Sequence, residues 1–372
     1  MVAHVSMYAF LLFSAFSPWL ALALVSIPVT VLKNGASGDG VQVELTADLV
    51  SSGESLAAYL STIIDVDGLY TDETKTSSKA VADRVYTGTG KAIRSFEDLS
   101  PNDKLYLVPE GLLFVWPFAE FGHRVVLESH QSPTGKPIIL ESFSDSPRVF
   151  KIYNFFTNDE ADKLVHHVSS ITAKADRLKR SAIGLVGDGE ETPLRTSENA
   201  YDSDSPTAKA ILKRSFDLLN IGEFDEKLVD GLQLLRYQQK QAYVTHDDWF
   251  DLESLDDFNF DPKAGGANRF ATVFLYLSNV TRGGQTVFPY AEMPPGVHHM
   301  APPTDEEMAL FDEGTWESRL VHACYTKMAT YPVKSTAILF YNQLGDGTLD
   351  EFAGHGGCPV LEGTKWAANL WV

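Results

Sequence analysis

Residues 232–250, LQLLRYQQKQAYVTHDDWF, decide the reading of this chain. Leu232 to Tyr237 is a short apolar run of good strand formers, and Tyr243-Val244-Thr245 leads as extended backbone into His246-Asp247-Asp248. Side chains alternate on such a segment, so His246 and Asp248 face one way and Asp247 the other. An imidazole and a carboxylate on one face can chelate a metal, but two ligands hold it poorly. A third is expected from a distant strand, and His355 in Gly354-His355-Gly356-Gly357 is the candidate, with glycines that let backbone and metal come close. Two histidines and one carboxylate with the remaining positions open suit a non-haem Fe(II) triad, with zinc as the competing ion.

Working outward, Phe270–Leu277, Thr286–Phe288, Thr336–Tyr341 and Thr364–Trp371 read as further strands joined by long loops. Helices are predicted ahead of them, one opened by the Thr157-Asn158-Asp159-Glu160 capping box and running to about Ile171, and one from Ser205-Pro206 to about Leu219. Strands after a helical lead-in predict a jelly-roll barrel packed on helices, within an α+β chain. Met293 to Thr330 reads as an irregular insertion. Along the last strand the period of two places Lys365, Ala367, Asn369 and Trp371 on one face, so Lys365 reaches inward, where a lone cation calls for an anionic partner. His166-His167 and His298-His299 are expected in surface or packing roles rather than in the metal site.

Nearer the N-terminus, Ile27, Val29 and Val31 and then Val41, Val43 and Leu45 alternate around Asn34-Gly35 as a hairpin. A helix over 54–64, strands over 84–86 and 104–108 and a short helical turn from Ser95 complete the element order of a small β-grasp (ubiquitin-like) domain. Residues 131–146, with Ser, Pro, Thr, Gly and Pro between Gln131 and Pro137, are the expected linker. The organisation expected is therefore 1–23 signal peptide or membrane anchor, 24–130 β-grasp-like domain, 131–146 linker and 147–372 catalytic domain. Val5 to Leu24 is almost continuously apolar, and Ala21-Leu22-Ala23 has the form of a cleavage site, which points to the secretory pathway and the endoplasmic reticulum. Asn279-Val280-Thr281 is a glycosylation sequon.

The composition agrees. The 372 residues are 44% hydrophobic and 22% charged, which is globular usage and long enough for two domains. A net charge of −20 removes the positive field that nucleic acid requires. Two cysteines, Cys324 and Cys358, exclude a disulfide scaffold and leave either one bridge or two thiols.

The ordered set Leu235-Arg236-Tyr237, His246-Asp247-Asp248-Trp249-Phe250, Arg269-Phe270-Ala271-Thr272, Gly283-Gly284-Gln285-Thr286-Val287-Phe288-Pro289, His355-Gly356-Gly357-Cys358-Pro359 and Gly363-Thr364-Lys365-Trp366 resembles the catalytic domain of prolyl 4-hydroxylases, which are 2-oxoglutarate- and Fe(II)-dependent dioxygenases. The resemblance covers about 147–372 and implies a double-stranded β-helix. It implies that His246, Asp248 and His355 ligate Fe(2+), and that Lys365, with Tyr237 and Thr286, holds the distal carboxylate of 2-oxoglutarate. It also implies that Arg269 and Trp371 face a proline-containing peptide, and that O2 is consumed to give succinate and CO2 with L-ascorbate as reductant. Cys324 and Cys358 resemble a cysteine pair of plant and algal relatives. The insertion at 293–330 is longer than the equivalent loop, which bears on substrate choice. The same chemistry on another residue or a small molecule is the alternative, and a silent barrel serving as a protein-binding module is the rival of a different class. A protein partner for the first domain and membrane association through the N-terminal segment complete the expectations.

Overall fold

The computed structural model describes residues 26–70, 80–127, 132–174, 176–183, 190–252 and 258–372. The expected signal or anchor over 1–23 lies outside them. Among the described residues no helix is long and apolar enough to cross a membrane.

Strands β1 (Ser26–Lys33) and β2 (Val41–Thr46) pair antiparallel, with Val29 opposite Val43. Helix α1 (Gly53–Leu60) starts at Ser52, whose hydroxyl accepts from the Ser55 amide. Strands β3 (Ala82–Thr87) and β4 (Lys104–Pro109) follow, and the sheet order is β2-β1-β4-β3 with β1 and β4 parallel. Val29, Val31, Leu45, Leu105 and Leu107 point from this sheet onto Leu56, Ala57 and Leu60 of α1, all fully buried. At about 1.5–3 kcal/mol for each fully buried large apolar side chain, that face is what keeps an eight-residue helix formed.

The expected boundary at 130 and the expected linker at 131–146 are both corrected. Strand β5 (Arg124–Leu127) pairs with β6 (Ile138–Ser144), β6 with β7 (Val149–Tyr153), and all three belong to the sheet of the second domain. Phe114, Val115 and Trp116 are already in that domain's core, so the small domain closes near Pro109. The Ser-Pro-Thr-Gly composition marks only the turn before β6, with Gly135 at φ 72°. Ile138 and Leu140 then alternate inward as a strand does, a pattern that the polar residues around them obscured.

Helix α2 (Asn158–Ser170) has the expected reciprocal cap between Thr157 and Glu160. Short strands β8 (Lys179–Arg180), β9 (Ala182–Ile183) and β10 (Glu190–Glu191) lead to β11 (Glu198–Asp202), and α3 (Pro206–Leu219) is capped by Ser205. The barrel strands are β12 (Leu232–Tyr237), β13 (Tyr243–His246), β14 (Ala271–Tyr276), β15 (Arg282–Gly283), β16 (Thr286–Phe288), β17 (Met328–Thr330), β18 (Thr336–Tyr341), β19 (His355–Gly357), β20 (Val360–Glu362) and β21 (Lys365–Trp371). The insertion expected to be irregular carries α4 (Asp305–Met308), α5 (Trp316–Thr326) and β17. Its prolines hid two local start signals, the caps at Thr304 and Thr315.

One sheet runs β5-β6-β7-β18-β14-β21-β12-β11-β8 and the other β13-β19-β16-β17. The chain crosses between them repeatedly, since β12, β14, β18 and β21 lie in the large sheet and β13, β16, β17 and β19 in the small one. This is a double-stranded β-helix, the jelly-roll expected. Period two sorts each strand: on β14 Val273 and Leu275 turn outward to Leu164 of α2 and Ile211 of α3, while Phe274 and Tyr276 turn inward to Phe288 and Phe340. The inward layer forms the walls of the site.

Candidate metal centre and its anion pocket

Strand β13 ends at His246 and pairs with β19 so that His246 sits opposite His355. Asp248 follows two residues later. His246 Nε2 lies 3.7 Å from Asp248 Oδ1 and His355 Nε2 lies 3.6 Å from Asp248 Oδ2, and the three ligand atoms fall within 4.8 Å of one another. Among the described residues this is the one group of three or more such side chains able to hold a metal ion. Both imidazoles point Nε2 inward because Nδ1 engages a backbone carbonyl, Val244 at 2.9 Å and Ala353 at 3.1 Å. Asp247 is exposed, as alternation predicts.

Charge states suit a cation. Burial, reinforced by His355, pushes His246 down to about 3, so it is a neutral ligand at physiological pH. Burial opposes the charge on Asp248, but His355, His246, Arg269 and the Thr272 hydroxyl outweigh it and hold the carboxyl below its usual range. Thr272 Oγ1 donates to Asp248 Oδ2 at 2.7 Å and receives the Asn342 amide at 3.2 Å, which fixes the carboxylate plane. Two imidazoles and one carboxylate on one side of a point fit Fe(II).

Lys365, the first residue of β21, points to the interior and is 1% exposed. Its Nζ sits over the rings of Phe274, Tyr237 and Tyr276 at 5.2, 5.3 and 5.6 Å. No acidic side chain compensates it among the described residues, and burial lowers it from 10.5 to about 7. Tyr237 is directly opposite Lys365 on β12, buried, and hydrogen bonded to Ser197. Thr286 is buried on β16 and accepts from Tyr276 Oη at 2.9 Å, which also meets Thr330 Oγ1 at 2.6 Å. The pocket thus brings Lys365, Tyr237 and Thr286 to one end of the barrel. It adds Tyr276 and Thr330, which sequence reasoning missed. Tyr276 shares the inward face of β14 with Phe274, a signal that alternation alone carries, whereas nothing local marks Thr330.

Arg269 and Trp371 meet at the opposite end. The Arg269 guanidinium stacks 3.9 Å from the Trp371 ring and 4.7 Å from that of Phe250. It donates to the Asp248 carbonyl at 3.0 Å and pairs with Asp230 at 2.7 Å. Arg269 is therefore braced against a metal ligand as well as placed at the rim. Tyr243, stacked on the His246 ring at 3.7 Å, and Arg195, over Tyr243 at 4.6 Å, were also missed, their partners being distant in sequence. The pairs at 166–167 and 298–299 stand apart from the metal group, as expected. Cys324 of α5 and Cys358, next to β19, are joined in a disulfide.

The profile of the 2OG-Fe(II) oxygenase superfamily matches residues 232–372. Prolyl 4-hydroxylase 2 of Arabidopsis thaliana is 34% identical over 249 residues, which are 66% of this chain and 74% of that protein. The probable prolyl 4-hydroxylase 4 of the same plant is 33% identical over 249 residues, again 66% of this chain and 74% of that protein. Among solved structures, a viral collagen prolyl hydroxylase from Paramecium Bursaria Chlorella virus-1 in its 2OG complex is similar at 22% identity and a TM-score of 0.37, covering 60% of this chain and 94% of that one.

Proposed function

From the fact that this chain belongs to the prolyl 4-hydroxylase family of 2OG-Fe(II) oxygenases, we propose that it hydroxylates peptidyl proline, turning 2-oxoglutarate and O2 into succinate and CO2. The observation that carries the reading is the pairing of a two-histidine, one-carboxylate triad with a buried lysine that has no acidic partner among the described residues. When bound, Fe(II) supplies the redox chemistry that couples oxidative decarboxylation to attack on a C–H bond.

The chain's own residues do the rest. His246, Asp248 and His355 would hold the ion. Lys365 takes the distal carboxylate of 2-oxoglutarate, with the Tyr237 and Thr286 hydroxyls beside it, a charge-assisted contact of about 1.5–3 kcal/mol. Phe274, Phe288 and Phe340 are buried around the site and exclude water from it. Arg269 and Trp371 form the wall along which an extended peptide lies. A polyproline-like chain is preorganised and loses little entropy on docking there.

The finer readings belong to the same proposal. Ascorbate serves as reductant. The secretory pathway, with the endoplasmic reticulum as the site of action, is supported by the Cys324–Cys358 bridge, since such bridges persist in oxidising compartments, and by the apolar N-terminal stretch. The order β2-β1-β4-β3 around α1 supports a β-grasp-like first domain.

The test is 2-oxoglutarate decarboxylation with a proline-rich peptide and with its all-alanine counterpart, followed by mass spectrometry. The proline peptide is expected to stimulate decarboxylation and gain one oxygen on proline. Equal modification of the alanine peptide, or oxygen mapped to another residue, overturns the prolyl reading and leaves the dioxygenase.

A further inference from the structure

Lys263 is a lysine that the chemistry above does not use, yet it is 5% exposed. It lies in the turn Pro262–Ala264, inside the connection that leaves the barrel after Asp248 and re-enters it at Arg269. Its Nζ donates to the Asp346 carbonyl at 2.9 Å and lies 3.6 Å from the Asp346 carboxylate. Tyr70 of the small domain donates its backbone amide to the Lys263 carbonyl and places its ring 5.5 Å from Nζ. The small domain also grips the 345–348 turn: Asn34 Nδ2 donates to the Gly345 carbonyl at 2.9 Å, and a Cβ at Gly345 would stand 2.1 Å from the Asn34 carbonyl. Three segments distant in sequence therefore close around one buried cation.

Both barrel segments in this seam lead to the metal site. Asn268 accepts from the Phe250 amide at 2.9 Å and donates to the carbonyls of Phe250 and Phe260, each at 2.8 Å, and Gln343 donates to its carbonyl. Phe250 supports Arg269, which holds Asp248. Asn342, just before the gripped turn, donates to Thr272, which holds the same carboxylate. The seam lies at the Arg269 and Trp371 end of the barrel, since the Phe270 amide donates to the Val372 carbonyl and the Asn342 amide to the Phe270 carbonyl. Lys365 is at the other end of β21, roughly 20 Å away along a seven-residue strand.

We propose that Lys263 is a positioning residue through which the small domain braces the rim of the barrel, and that the brace sets affinity for the peptide and not for 2-oxoglutarate. This rests on the prolyl hydroxylase reading for its substrate. In the Lys263→Met chain the apolar stem remains and the cation is gone. Its KM for a proline-rich peptide is expected to rise roughly 5–30-fold, the range that one or two lost buried contacts produce. KM for 2-oxoglutarate stays near the wild-type value, any fall in the peptide-independent decarboxylation rate is smaller than the fall in peptide kcat/KM, and amides 258–268 lose hydrogen-exchange protection. Tyr70→Ala shifts peptide KM the same way, and Lys263→Arg keeps the wild-type value. An unchanged peptide KM in Lys263→Met, or a proportional fall in peptide-stimulated and peptide-independent rates, overturns the brace. If no proline peptide stimulates the wild-type enzyme, the substrate reading fails instead. The exchange measurement then decides the brace by itself, with unchanged protection at 258–268 overturning it.

Discussion

Replacing Lys365 by methionine separates stability from function in opposite directions. Burial lowers the ammonium from 10.5 to about 7, a difference on the order of 5 kcal/mol against the charged form. Contacts with the three surrounding rings return about 0.5–1 kcal/mol each, so roughly 2–3 kcal/mol of net cost remains in the unliganded protein. The sign follows from linkage. The unfolded chain binds this proton more tightly than the folded one, so the cost is fully present below pH 7 and fades as pH rises toward 10.5. Lys365→Met, similar in length and apolar, is therefore expected to raise the unfolding free energy of the metal-free protein at pH 6.5 by about 2–3 kcal/mol and to change it little near pH 10.5. The same variant should raise KM for 2-oxoglutarate strongly while metal remains bound, and 2-oxoglutarate should protect only the wild type against unfolding. In the wild type, 2-oxoglutarate affinity should be level below pH 7 and weaken above it, because binding a carboxylate then requires proton uptake by Lys365. Denaturant unfolding across pH 6–10.5 and a KM series read both arms. A variant less stable than wild type at pH 6.5, with KM for 2-oxoglutarate unchanged, would refute the reasoning.

Removing any metal ligand, by His246→Ala, Asp248→Ala or His355→Ala, is expected to abolish turnover and iron binding, whereas exposed Asp247→Ala keeps most of both; iron content and decarboxylation check this together. Cys324→Ser should destabilise the protein by about 2–4 kcal/mol through loss of a loop-closing cross-link, with a lower denaturation midpoint as readout. Because Cys358 directly follows β19, which carries His355, the same variant should also weaken iron retention, and unchanged iron affinity would count against a supporting role for α5.

Periodicity within single strands was legible without any structure. Alternation put His246 and Asp248 on one face and Asp247 outside, and it turned Lys365 and Trp371 inward on the last strand, where the structure has them. Caps at Thr157 and Ser205 started their helices for equally local reasons. Alternation is a property of neighbouring residues, so it states which way a side chain points but not what it meets. Tertiary structure decided that His355 pairs with His246 across more than a hundred residues, that β5 and β6 extend the barrel sheet instead of forming a linker, and that Tyr276, hydrogen bonded to Thr330, lies beside Lys365. It also decided that Lys263, which no local pattern marks, lies buried between Tyr70 and Asp346. Such partners are chosen by hydrogen bonding and packing between segments that only the folded chain brings together, and no local pattern records that choice.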